Sequence, residues 1–132
     1  MQVTEVSIAQ LRAALEAGQT TAVELVNAYL ARIDAYDGPQ TTTALNAVVV
    51  RNPEALKEAE ASDARRAQGK TLGPLDGIPY TAKDSYLVKG LTAASGSPAS
   101  IAGQISRSIS MKSIFRKRST VNSSLTSACF KQ

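Results

Sequence analysis

Lys83 is the residue of this chain best placed to do chemistry. It nearly closes the run Gly73-Pro74-Leu75-Asp76-Gly77-Ile78-Pro79-Tyr80-Thr81-Ala82-Lys83-Asp84, so a lysine stands at the end of a short apolar strand, after a proline- and glycine-rich turn. Apolar packing around a lysine stem disfavours the ammonium, and the neutral amine can then act as a base. The plainer reading is a strand-end lysine that pairs with an acid or reaches to solvent. Composition excludes several other devices. The chain has no histidine, so a Ser-His-Asp set is ruled out. Cys129 is the single cysteine, which forbids an internal disulfide and leaves no zinc-ligand spacing. Neither a metal nor an organic cofactor is expected.

The elements that must hold Lys83 read in order along the chain. Ser7-Ile8-Ala9-Gln10 forms a capping box, Ile8, Leu11 and Leu15 then share a helical face, and Gly18 ends the helix. Thr21-Ala22-Val23-Glu24 is a second capping box, followed by Leu25, Tyr29 and Ile33 with Val26 and Leu30 beside them, up to Gly38-Pro39. The result is a helical hairpin whose apolar stripes need a partner surface. Leu45 to Val50 is rich in β-branched residues and predicts a buried parallel strand. Asn52-Pro53-Glu54 then reads as N-cap, first helical residue and first-turn acid. That helix runs from about Pro53 to Gln68, with Leu56, Ala59 and Ala67 inward, Lys57, Glu58, Asp63, Arg65 and Arg66 outward, and Gly69 as its stop. Ile78 to Ala82 is the next strand, which completes a βαβ unit with a right-handed crossover. Asp84 is expected on the opposite side from Lys83 as an orienting or turn-capping group, and Gly77 and Gly90 as turn residues.

Charge divides the chain near residue 100. Residues 1–100 carry nine Lys/Arg against eleven Asp/Glu, a net of −2, whereas residues 101–132 carry six Lys/Arg, no acid and eight serines. The tail therefore supplies the whole net charge of +4. Its apolar residues keep no sustained period, so it is expected to be poorly ordered. Arg116-Lys117-Arg118 lacks stacking aromatics and reads as solvated charge, with a nucleic-acid or membrane arm as the alternative. No window reaches membrane-spanning length and no apolar leader precedes Gly18, so a cytoplasmic setting is the default.

Read on through Ser85-Tyr86-Leu87-Val88-Lys89-Gly90-Leu91-Thr92-Ala93-Ala94-Ser95-Gly96-Ser97, the lysine segment closely resembles that of the amidase signature family. The resemblance covers roughly residues 5–99 and is most specific over 73–97. It implies hydrolysis of carboxamide C–N bonds by a Ser, cis-Ser and Lys arrangement on a large α/β sheet. On that pattern Lys83 is the general base: it accepts the proton of the nucleophilic serine through a bridging serine, then returns it to the leaving amine. The family's Gly/Ser-rich signature, which supplies both serines and the oxyanion-hole amides, has no counterpart among these residues. Gly96-Ser97-Pro98 lacks the glycine-serine repetition, and Ser123-Ser124 lacks flanking glycines for an amide nest.

The reading is an α/β protein. An N-terminal helical hairpin leads into a βαβ fragment of an amidase-type mixed sheet (residues 1–99), and a basic, Ser-rich, poorly ordered tail follows (residues 100–132). The first part is expected to be a truncated amidase-like domain that keeps Lys83 and lacks its serines, and so to be inactive toward the family's amide substrates. The alternatives are a non-catalytic fragment that associates through an exposed sheet edge and a basic-tailed binder. Two short parallel strands cannot cover both faces of a sheet, so residues 1–100 alone are expected to be marginally stable.

Overall fold

A computed structural model describes residues 2–86, 88 and 91–95, together with the backbone of 129–131. Two reciprocal caps set the first two helices. Ser7 accepts the Gln10 amide at 3.2 Å while the Gln10 side chain accepts the Ser7 amide at 2.8 Å, opening helix α1 at Ile8–Glu16. Thr21 and Glu24 exchange the same pair of bonds at the head of α2, Ala22–Tyr36. Such caps are worth about 1 kcal/mol each. Gly18 lies just past the end of α1, where the Gln19 amide reaches back to the Ala14 carbonyl and the Gly18 amide to that of Leu15. Gly69 closes α3, Ala55–Ala67, with the same pattern of bonds. Both stops fall where the glycines predict them.

Helix α2 is the centre of the packing. Leu25 on one side meets Leu11 and Leu15 of α1 with Val3 and Ile78, while Ala22 and Val26 on the other meet Ala55 and Ala59 of α3. The four-residue spacings of the sequence explain both stripes. Three expected inward residues are outside, Ala67 at the end of α3 among them. Ile8 is 57% exposed, and Leu56 is exposed while Ala55, Ala59 and Ser62 turn in. Small residues on α3 let its backbone approach α2 closely, so the buried face is set by fit rather than by the largest apolar side chain.

The α/β class holds, with few residues in strands. Tyr80–Ala82 forms β1 and Cys129–Lys131 forms β2, paired in parallel with Tyr80 opposite Cys129 and Ala82 opposite Lys131. Thus three residues of the Ser-rich tail are in a strand; the rest of the tail, with Arg116-Lys117-Arg118 and Ser123-Ser124, lies outside the described residues, as does Gly90. The strand expected over Leu45–Val50 does not form a ladder, and only Val50 makes an isolated bridge. The Ala47 and Val48 amides instead donate to the Asp37 carboxylate at 2.6 and 2.8 Å, which fills the bonds a neighbouring strand would have taken. These two amides, Val48 foremost, hold the Asp37 carboxyl below the usual carboxylate range. The third helix also begins later than predicted. Asn52 accepts the Glu54 amide at 2.9 Å and caps a turn, and the helix starts at Ala55.

Gly77 marks where the lysine segment docks on the helices. Its φ of +89° is left-handed, and a β-carbon there would lie 2.9 Å from Ser62 Oγ and 3.2 Å from Ala22 Cβ. Both the backbone and the space require glycine. Gly77→Ala should therefore cost about 1–3 kcal/mol, from the strained backbone and the clash together. The check is the urea midpoint of the variant against the parent, and an unchanged midpoint would contradict this packing.

Candidate active site

Lys83 is delivered by three successive constraints. The turn from Gly73 to Ile78 closes through the Asp76 amide on the Gly73 carbonyl and the Ile78 amide on the Leu75 carbonyl. Ile78 then enters the α1–α2 core, and β1 runs from Tyr80 to a buried Ala82. Lys83 follows at the C-terminal end of the parallel pair, the end at which α/β sheets place their sites. Its carbonyl accepts the Tyr86 amide at 2.9 Å, so the chain turns immediately after it. The Lys83 side chain is exposed, and no hydrogen bond or ion pair ties its ammonium to another described residue.

Asp84 turns toward the returning chain. Its carboxylate accepts the Ala94 amide at 3.1 Å, which draws residues 91–95 back beside the end of β1. Val88 and Leu91 pack there with Ala82, against Val50 and Tyr80. Ser95 has a left-handed φ of 48°. Gly96-Ser97-Pro98 lies outside the described residues.

The strongest electrostatic feature is Asp76, to which the sequence reading gave no role of its own. Its side chain is 1% exposed. Arg65 grips it bidentately, Nη2 to Oδ1 at 2.8 Å and Nε to Oδ2 at 3.1 Å, while Ser62 Oγ donates to Oδ1 at 2.8 Å and the Leu72 amide to Oδ2 at 2.9 Å. Arg66 adds a bond from Nη2 to the Asp76 carbonyl at 2.7 Å. Burial pushes the Asp76 carboxyl up, but Arg65, the Leu72 amide and Ser62 outweigh it and leave the group below the usual range. Arg65 and Arg66, expected to face solvent on α3, instead hold the lysine segment, whereas Lys57 is exposed as expected. Asp63 accepts the Ala22 and Val23 amides at 2.8 and 3.1 Å, capping α2. The spacing of Ser62, Arg65 and Arg66 on one helical face was the signal available for this network.

This arrangement is a scaffold that carries a lysine, and its sequence is shared. A family profile described as Amidase matches residues 24–106. The chain belongs to the amidase family. It is 45% identical over 92 residues to a subunit of the glutamyl-tRNA(Gln) amidotransferase of Chloroflexus aurantiacus, a match that covers 69% of this chain and 18% of that protein. The corresponding amidotransferase protein of Thermobifida fusca is 45% identical over 96 residues, covering 71% and 18%. The solved peptide amidase of Stenotrophomonas maltophilia superposes with a TM-score of 0.65 at 40% identity, over 69% of this chain and 18% of that one. The chain therefore spans about 18% of the length of these relatives. Among its described residues no helix is long and apolar enough to cross a membrane.

Removing the charge at Asp76 tests the scaffold. Asp76→Asn leaves the partly buried Arg65 guanidinium without a counter-charge and should cost about 1–3 kcal/mol, read as loss of helical circular dichroism and faster exchange of the Leu72 amide. The pH dependence has a definite sign. A carboxyl held below its unfolded value of about 3.9 stabilises the fold above that pH, and the contribution is lost as pH falls through the folded value. Helical signal should therefore persist at pH 5 and fall progressively below about pH 4. An acid profile that rises toward low pH would be incompatible with this network.

Proposed function

We propose that this chain is the lysine-bearing N-terminal portion of an amidase-type carboxamide hydrolase, with Lys83 as the general base of a Ser, cis-Ser and Lys relay. The observation that carries the reading is the position of Lys83, one residue beyond β1 and its buried Ala82, within the segment matched by the family. In such a relay the amine takes the proton of the attacking hydroxyl and returns it to the departing nitrogen. The substrate class is an amide, in keeping with the amidotransferase and peptide amidase relatives.

By itself the chain is inactive in this reading. Base behaviour in a lysine depends on desolvation, whereas Lys83 stands exposed here. Leu45 at 68% exposure, with Val49 and Tyr86 also exposed, supplies apolar surface that a larger sheet domain would cover. The missing Gly/Ser-rich signature removes both the nucleophile and its oxyanion donors.

Two measurements test the parts separately. The purified chain should neither hydrolyse a simple carboxamide nor take a fluorophosphonate label, and labelling of one serine would sink the inactivity. A chimera in which residues 24–95 replace the matching segment of the peptide amidase should hydrolyse amides, and its Lys83→Ala form should lose about 10²- to 10⁴-fold in kcat. Equal rates for the two chimeras would remove Lys83 from the relay.

A further inference from the structure

A groove of about 440 Å³ opens between α1 and the segment 71–74, away from Lys83, lined by Arg12, Glu16, Arg66, Thr71, Gly73 and Pro74. Its two arginines are incompletely satisfied: Nε of Arg12 and Nε of Arg66 are buried without a hydrogen-bond partner among the described residues. Arg66 is fixed in place by its bond to the Asp76 carbonyl at 2.7 Å. Among the described residues Arg12 bonds to Glu16 alone, at a long 3.4 Å, and both of those side chains are substantially exposed. We propose that this groove binds the carboxylate of a small organic acid, with Arg12 and Arg66 as its counter-charges.

The charge count selects the ligand. Two guanidinium groups and one carboxylate leave the lining at +1, which a monoanion neutralises and a phosphate dianion overshoots. A guanidinium edge presents two parallel N–H groups to a carboxylate, a better geometry than the single long bond from Arg12 to Glu16. The volume exceeds that of a carboxylate group, so there is room for an organic body beside Pro74 and the arginine stems. Glu16 is the competing group, and an incoming carboxylate takes its place on Arg12.

Benzoate is the probe, titrated into the ¹⁵N-labelled full chain while the arginine Nε–H signals are followed. Those of Arg12 and Arg66 should shift together and saturate with a Kd of about 1 mM. Arg12→Gln should weaken binding about tenfold with the fold retained in the backbone spectrum, because the one described partner of Arg12 is the exposed Glu16. Glu16→Gln should tighten it about threefold by removing the competitor. Non-saturating shifts, equal affinity in Arg12→Gln, or tighter binding of inorganic phosphate than of benzoate would each overturn the proposal.

Discussion

The buried carboxylate of Asp76 is the interaction on which the rest of the arrangement depends. It sits where the Gly73–Ile78 turn meets α3, and every bond it accepts comes from another part of the chain or from the far side of its own turn. A carboxylate taken out of water must find this many donors or it would not stay charged. Having found them, it fixes the direction in which the chain leaves the turn. Ile78 follows into the helical core and β1 begins, so the position of Lys83 descends from an ion pair rather than from a broad sheet.

The same device recurs. Asp63 caps α2 from α3, Asp37 at the end of α2 holds the Ala47 and Val48 amides, and Asp84 holds that of Ala94. Each joins stretches of chain that a larger sheet would otherwise align. This explains how a chain with so few described ladder bonds still orients its helices and turns: carboxylates supply the acceptors that backbone amides need when no strand lies alongside. Glu24 does the same locally for Thr20 and Thr21, and these bonds hold its carboxyl low.

The helices were legible because caps, stops and apolar spacing are local. Ser7 with Gln10, Thr21 with Glu24, Gly18 and Gly69 all act within one or two turns of chain, and each does what its residue type dictates. The motif around Lys83 was legible too, as far as the strand that delivers it. What could not be read was any choice between two acceptable faces. Helix α3 offered Leu56 to the core and was packed through Ala55, Ala59 and Ser62 instead, where small side chains meet Ala22 and Val26 of α2 at close approach. Leu45–Val50 has strand composition but forms no ladder beyond the single bridge at Val50, and composition alone cannot supply a partner strand. Asp76 was hidden for a related reason: an Asp-Gly pair announces a turn, and nothing local reveals that an arginine eleven residues earlier lies against it.

The parallel pairing of β1 with β2 has a bearing on how the chain assembles. Tyr80 and Cys129 are distant in sequence, so their ladder must wait for far-separated parts of the chain to meet, whereas α1, α2 and α3 need only neighbours. During synthesis the helical layer and its docked turn can be complete while the residues of β2 are still inside the ribosome. The lysine-bearing strand is therefore positioned on one side before its partner arrives to pair along the other.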